Sequence, residues 1–432
     1  MRTIQAWLQG MNPNWSLTRP KAIFTERRES NHIDDVHLTP SQALGVLPQD
    51  EYMTKSGNRV VLNLSGQDNM KHVEKNDFII HLRSFQGGIE HSQFKGKVSS
   101  AYTVLRPNAR IEPRFFRWLL KSSGYIQELN ASTDQLRDGQ SIKFGQFAAI
   151  DLPLPPIEEQ RRIADFLDDQ VTRIDQAVRL IRSREQLLQD VFTHAVANAF
   201  AKLRDSDDAA QVPLRYLVRS IQTGSTPAES LADTHGVPWY TPAAFSNFGE
   251  LGEPTRHIKT DATRAENLVL VKAPAVLIIG IGATGKVALL DHDAATNQQI
   301  TALTTRSSVE AQFLFWQFWS RSSELRGKAL FTTLPILNND YLSSIVLLQV
   351  PLEVQYDLVE TLSMLRDRVT KLRSHCMRSS SLLEERKRAL ITGAVTGELD
   401  VTAARRISDS GLMPSNGFGS DEDFFASIGG MR

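Results

Sequence analysis

The sequence predicts an α+β protein built twice over, two tandem α+β domains separated by long helices that pack as a coiled coil. A duplication is the first observation. Ile150-Asp-Leu-Pro-Leu-Pro-Pro156 and Ile345-Val-Leu-Leu-Gln-Val-Pro351 occupy the same place 195 residues apart, and the same offset carries Gln160 onto Gln355 and Leu167 onto Leu362. Upstream the offset drifts by a few residues, so that Trp118 falls on Trp316, Ile80 on Ile278 and Leu17 on Leu214. Second, apolar residues recur at steps of 4 and 3 in one stretch of each copy, the seam of a coiled coil. Third, the rest of each copy mixes short β-rich runs with Gly/Asn/Asp punctuation and one amphipathic helix, which is α+β composition.

Taken in chain order, residues 1–150 form the first α+β head, with strand-like runs Asp77-Phe-Ile-Ile80 and Tyr102-Thr-Val-Leu105 and a helix near Trp118. Residues 151–211 are a spacer helix and a linker. Pro156 suits the first position of a helix, and Glu158 and Glu159 lie in the first turn, where the helix dipole favours them. The seam follows as Leu167, Val171, Ile174, Val178, Ile181, Leu188 and Phe192, broken at Glu185. Residues 203–211 read as the linker. Residues 212–350 repeat the head, with strands Ala275-Val-Leu-Ile-Ile279 and Ile300-Thr-Ala-Leu303 and a helix near Trp316. Residues 351–402 repeat the helix from Pro351, with Leu358, Leu362, Leu365, Val369, Leu372, Cys376, Leu383 and Leu390 on its seam and interruptions at Ser379 and Arg386. Residues 403–432 are rich in Ser and Gly, with an acidic patch at Asp421-Glu422-Asp423, and read as a disordered tail.

Composition removes several function classes. The 432 residues are 41% apolar and 23% charged, an ordinary globular balance, and no apolar run of 18 or more could span a membrane. Asn12, Asn14 and Trp15 stand where a signal peptide would be apolar, so a cytoplasmic protein with no membrane partner is expected. One cysteine, Cys376, excludes an internal disulfide and a cysteine-based zinc site. The formal net charge is zero, but residues 1–150 carry a net +5 and five of the ten histidines. That excess permits a polyanionic partner without demanding one.

Gly280-Ile-Gly-Ala-Thr-Gly-Lys286 matches both a dinucleotide fingerprint and the core of a phosphate loop, which raises the alternative of a nucleotide-binding enzyme. The phosphate loop fails at Val287, where a magnesium-ligating hydroxyl belongs, and both motifs require a helix next. Lys286-Val-Ala-Leu-Leu290 reads instead as a second strand, making the glycines a hairpin loop. The histidines show no HxxxH or HExxH spacing, so no metal site is expected, and neither a G-x-S-x-G elbow nor a Cys-His pair supports nucleophilic catalysis. Asn12-Pro13-Asn14-Trp15 departs at its third place from the tetrad that receives a flipped adenine. No catalytic residue and no cofactor is therefore assigned to this chain.

Two heads on a helical spacer suit a DNA target with two half-sites, and their divergence suits an asymmetric one. The amides of Asn297, Gln298 and Gln299 could read adenine, and Lys95, Lys97, Arg106, Arg110 and Lys286 could meet phosphate or guanine. Alternatively Asn-Gln-Gln caps a turn, the cations are merely solvated, and the chain is a coiled-coil scaffold for protein interactions.

Four strings sharpen this: Pro153-Leu-Pro-Pro-Ile-Glu-Glu-Gln-Arg-Arg-Ile-Ala-Asp-Phe-Leu-Asp168, Thr223-Gly-Ser-Thr-Pro227, Gly280-Ile-Gly-Ala-Thr-Gly-Lys-Val287 and Ala295-Thr-Asn-Gln-Gln-Ile300. With Gly87–Pro107 and the duplication itself, they resemble the specificity subunit of Type I restriction-modification systems over about residues 1–400. The resemblance implies two target recognition domains reading halves of a split double-stranded DNA sequence, with the long helices antiparallel as a ruler. It implies a subunit without catalytic activity that docks two adenine methyltransferase subunits, with S-adenosylmethionine on those partners, while motor-nuclease subunits add restriction. Spacer and docking roles then fall on Pro156, Glu159, Gln160, Leu167, Ile174, Ile181 and Leu188, and on Pro351, Gln355, Leu362, Val369 and Leu383. Leu352-Glu-Val-Gln355 departs from the Glu-Gln-Arg-Arg character of the first copy, which weakens docking through the second helix.

Overall fold

The structure is a computed structural model and describes residues 6–59, 70–81, 88–131, 142–229, 232–260, 268–328, 330–331 and 335–402. The tail at 403–432 lies outside the described residues. The described residues divide into two compact units, those up to Ile181 together with those from Arg378 onward, and Arg182–Met377. Each unit thus holds one head, one half of the first long helix and one half of the second.

In the first unit, the head is centred on an antiparallel sheet in the order Phe24–Arg27, Thr103–Pro107, Phe78–Ile80, Ile89–His91. The second head repeats that order with Val218–Thr223, Ile300–Thr305, Ala275–Ile279 and Val287–Leu290. Equivalent strands follow the drifted offset seen in the sequence, with Ile80 in one central strand and Ile278 in the other. Outside this common sheet the heads share one further antiparallel pair, Lys71–Val73 with Gly96–Val98 in the first and Leu270–Val271 with Ala294–Thr296 in the second, and differ in what is added to it. The first adds a two-stranded ribbon, Leu38–Ser41 with Gly45–Pro48. The second extends the pair to a five-stranded sheet that includes a parallel pairing of Val237–Tyr240 with Ala294–Thr296.

Each head packs a helix on its sheet, Pro113–Leu119 in the first and Ala311–Ser320 in the second. Phe24, Phe78, Phe115, Phe116 and Phe147 are fully buried around the first, with Phe24 meeting Phe78, Phe116 and Phe147 edge to face. Around the second, Phe313, Phe315, Trp316 and Phe318 are buried on nearly every side of the helix. A helix apolar all round can only be enclosed. Here Phe192 from the first long helix closes one flank, 5.8 Å from the Trp316 ring and 5.0 Å from Trp319.

The long helices run Ile157–Arg204 and Leu352–Thr396, 48 and 45 residues. At about 1.5 Å per residue these are rods of roughly 70 Å. Within the first unit Asp175 pairs with Lys387 at 2.6 Å while Leu167 and Val171 share one core with Ile391 and Val395. Rising numbers on one helix meet falling numbers on the other, so the packing is antiparallel. Within the second unit Glu185 accepts from Arg373 at 2.9 Å. The break that Glu185 makes in the heptad pattern is therefore filled by an ion pair between the helices. Leu167, Ile174, Leu188, Leu362, Val369 and Cys376 are buried in the seam, whereas Ile181 and Leu383, beside the polar interruptions, are half-buried. Arg204 ends the first helix and Ala210–Pro213 already pairs with Val346–Gln349. The linker expected at 203–211 is thus shorter than the sequence suggested.

Head and helix are clasped identically in both copies. Gln160, in the first turn of its helix, accepts from the Glu112 backbone N–H at 2.8 Å and donates to the Arg110 and Pro155 carbonyls at 3.0 and 2.8 Å. Gln355 accepts from the Glu310 N–H at 2.8 Å and donates to the Ser308 and Val350 carbonyls at 3.0 and 2.8 Å. Glu112 and Glu310 are the N-caps of the head helices, so one amide ties the start of each head helix to the start of each long helix. Both glutamines are essentially inaccessible, at 1% and 0% exposure. Their side chains bind their own heads and present no surface to a docking partner. Replacing Gln160 or Gln355 by leucine should leave backbone groups unpaired and cost about 1–3 kcal/mol each, read as a lower denaturation midpoint in urea. Equal stability of either variant and the wild type would show that the clasp is not structural.

Candidate nucleic-acid interface

In the second head the three strings singled out by sequence come together. Gly224 donates its N–H to the Ile300 carbonyl at 3.1 Å, Ser225 to Thr296 at 2.8 Å, and Gly280 to Gln299 at 2.8 Å. A Cβ on Gly224 would stand 2.1 Å from the Thr296 carbonyl oxygen, so only glycine permits this approach. The turn Thr223–Pro227, the loop 280–286 and the segment Ala295–Ile300 thus form one cluster of polar loops at a sheet end.

The glycine-rich loop is a hairpin. Ala275–Ile279 pairs antiparallel with Val287–Leu290, and Ile279 donates to the Lys286 carbonyl at 2.9 Å. Gly282 and Gly285 take φ of +88° and +81°, and a Cβ on Gly285 would meet the Ser322 carbonyl at 2.7 Å. The glycines serve a left-handed turn and close helix packing, with no helix N-terminus following to receive a phosphate. This removes the structural basis for the nucleotide alternative.

Of the three amides, Asn297 is buried. Its Oδ1 accepts from the Gln299 backbone N–H at 3.1 Å and its Nδ2 donates to Gln299 Oε1 at 2.9 Å. The turn-capping alternative therefore holds for Asn297, and Gln299 is occupied with it. Gln298 is the exposed member, with its Oε1 accepting from Thr226 Oγ1 across the cluster. Lys286 points into a cleft of about 510 Å³ whose lining includes Gln186, Gln189, Asn247, Arg326 and Arg373. Arg373 lies 4.1 Å above the Phe248 ring and is paired to Glu185, so its charge is partly spent. Thr226 stands in the Thr223–Pro227 string with no role of its own in the sequence, and Arg326 carries no sequence signal; the fold brings them beside Gln298 and Lys286.

In the first head, Lys97 lies on the short strand Gly96–Val98 and Lys95 immediately precedes it. Lys95 is exposed and 3.3 Å from Glu74, while Lys97 is half-exposed and its N–H donates to the Val36 carbonyl at 2.9 Å. Burial, reinforced by the charge of Lys97, holds His37 below its ordinary pKa. Arg106 is exposed on Thr103–Pro107, opposite Thr25. Arg110 is exposed on the loop whose carbonyl receives Gln160, at the joint with the long helix. The four cations expected here are thus divided between a ribbon, the central sheet and the joint.

Two buried groups govern the electrostatics behind that surface. Arg27 forms a bidentate pair with Asp77, at 2.6 and 3.2 Å. His91 donates through Nε2 to Asn76 Oδ1 at 3.1 Å and is held neutral, its pKa pushed down to about 4 by burial, with Arg117 and Lys75 adding repulsion. An unfolded chain takes up this proton near the ordinary value of 6.5, which the folded head refuses. The stability due to neutral His91 is complete above that value and is lost progressively as pH falls toward 4. Thermal melts should therefore show about 2 kcal/mol of loss between pH 6.5 and 5, and His91→Gln should flatten that dependence.

The Type I restriction modification DNA specificity domain matches this chain twice, over residues 46–181 and 214–375. Among solved structures, a chain from a study of complex assembly and conformational transition in the type I R-M system is 18% identical. The similarity covers 90% of this chain and 99% of that one, with a TM-score of 0.71. The HsdS subunit from Thermoanaerobacter tengcongensis is 19% identical, with 90% and 98% covered and a TM-score of 0.52. With two copies of the domain on the fold of such subunits, the chain belongs to the Type I restriction-modification DNA specificity family, as a subunit that recognises DNA sequence.

Proposed function

We propose that the chain is the non-catalytic specificity subunit of a cytoplasmic Type I complex, with each head reading one half of a split, asymmetric double-stranded target. The observation that carries this reading is the repeated clasp. Gln160 and Gln355 join heads of different outer structure to their helices with the same three hydrogen bonds. An identical joint with a diverged head is the arrangement expected when two different half-sites must be presented on one frame. No described helix is long and apolar enough to cross a membrane.

On this reading the exposed faces of the long helices dock two adenine methyltransferase subunits, which bind S-adenosylmethionine, and motor-nuclease subunits join where restriction occurs. Pro156 and Pro351 are exposed at the helix starts and Glu159 is half-exposed, which suits contact with a partner. In the second head Gln298 and Lys286 face the DNA, and in the first Lys95, Lys97, Arg106 and Arg110 supply phosphate contacts.

Methylation-sensitive sequencing of DNA from cells with and without the gene tests the role directly. A split adenine-methylated motif should vanish with the gene, and exchanging residues 212–350 for another member's head should alter one half only. Alteration of both halves would refute independent reading. Lys95→Ala with Lys97→Ala should weaken DNA binding evenly across sequences and reduce the salt slope by about 2, measured by fluorescence anisotropy from 50 to 200 mM salt as those conditions are used for such slopes. Inserting seven residues after Ile174 and seven opposite them in the second helix adds about 10.5 Å of rod. The gap between half-sites should then widen by roughly three base pairs.

A further inference from the structure

Among the described residues, His32, Asp35 and His72 offer one ligand atom each within 4.8 Å of one another. Their separations, 3 and 37 residues, match no ligand motif, and the DNA-reading surface above makes no use of them. The segment from Glu29 to His37 brings them together. It runs beside the ribbon of Lys71–Val73 and Gly96–Val98, with His72 donating its N–H to the Glu29 carbonyl, Asn31 to Met70 and Lys97 to Val36, at 2.9 to 3.0 Å.

His72 is buried, and each of its ring nitrogens faces a carboxylate. Asp35 Oδ2 lies 2.7 Å from Nδ1, and Glu74 Oε1 lies 3.0 Å from Nε2. A neutral imidazole has one N–H and one lone pair. It can donate to only one of these oxygens, so the other contact sets lone pair against lone pair unless a cation, either a proton on the second nitrogen or a metal ion, sits there. Asp35 is buried with His72, both side chains at 1% exposure, which makes an uncompensated negative charge costly. Glu74, outside and paired with Lys95, is placed to take the Nε2 hydrogen. A carboxylate in that position is the usual orienter of a metal-bound histidine, and it leaves Nδ1 free to coordinate.

On the Nδ1 side the remaining donors converge. Asp35 is held by the His32 backbone N–H at 2.7 Å, and the His32 ring stacks on His72 with centroids 4.2 Å apart and planes within 10°. His32 is exposed, so its ring can turn without disturbing the core. Bond lengths of about 2.0–2.2 Å to zinc place two tetrahedral ligands roughly 3.3–3.5 Å apart, so Nδ1 and Oδ2 need to separate by less than 1 Å.

We propose that His32, Asp35 and His72 bind a divalent transition ion of the zinc class, with water in the fourth position and Glu74 as the positioning residue. Two imidazoles and one carboxylate suit zinc, whereas magnesium and calcium favour oxygen ligands. The ion would clip the 29–37 segment to the ribbon that carries Lys95 and Lys97.

The test uses the full chain, stripped with a chelator, rebuffered and titrated with zinc chloride by calorimetry and with cobalt chloride by visible absorption. One tight equivalent of zinc and a four-coordinate cobalt spectrum are expected. His32→Ala, on an exposed ring, should retain the fold and weaken zinc binding at least tenfold, and Glu74→Gln should weaken it about tenfold. His257→Ala in the second head should bind as the wild type does. The proposal is overturned if the wild type takes up no equivalent of zinc, which would leave a proton as the cation between His72 and Asp35, or if His32→Ala binds as tightly as the wild type. His72→Ala should lose zinc binding, and should that variant fail to fold, His32→Ala decides alone.

Discussion

The structure depends on a buried glutamine amide used twice. An amide offers a donor and an acceptor on one rigid plane, so a single side chain can satisfy groups of opposite kind. Gln160 and Gln355 each bind the N–H of a head-helix cap and two carbonyls, one of them just before the long helix. Head, joint and helix are locked in one step, and because the groups are buried, no water is at hand to replace the amide. Gly397 finishes the first unit in a comparable way. It sits at φ +75° where a Cβ would stand 2.7 Å from Trp15 and Asn12, so the second long helix stops against the first head.

Constancy at the joints contrasts with divergence at the outer strands. The central sheets share one strand order, their helices share one capping residue type, and the pairing of Lys71–Val73 with Gly96–Val98 recurs as Leu270–Val271 with Ala294–Thr296, while the strands added around that pair differ between the heads. Physical necessity separates the two regions. The joint must fill a fixed space and pair fixed backbone groups, whereas strands at the edge of a head need only keep their own backbone bonds. That is where recognition can change without loss of fold.

The seam of the long helices shows how polar residues fit within a heptad pattern. Glu185 interrupts the apolar repeat and meets Arg373, and Asp175 meets Lys387 beside Ile174 and Val178. Opposite charges across an antiparallel pair favour one register, because a slip of one turn would break both ion pairs. Arg373 is further engaged over the Phe248 ring, which links the seam to the second head.

The sequence by itself determined the duplication, the α+β class, the long helices with their seam, and the hairpin character of 280–286. These rest on patterns local to the chain: a period near 3.5, short β-branched runs, and a missing hydroxyl at Val287. It also located the strings around 223, 280 and 295, but not that they meet, nor that Asn297 is consumed within its turn while Gln298 stays exposed. The heptad pattern showed Glu185 only as a break, and Gln355 stood in a copy that looked degenerate, although it makes the same three bonds as Gln160. The His32, Asp35 and His72 group left no trace in any spacing. What decided these was tertiary structure, since each depends on which backbone or side chain, tens of residues away, is delivered to within 3 Å. That is fixed by how strands and helices pack, and no local period encodes it.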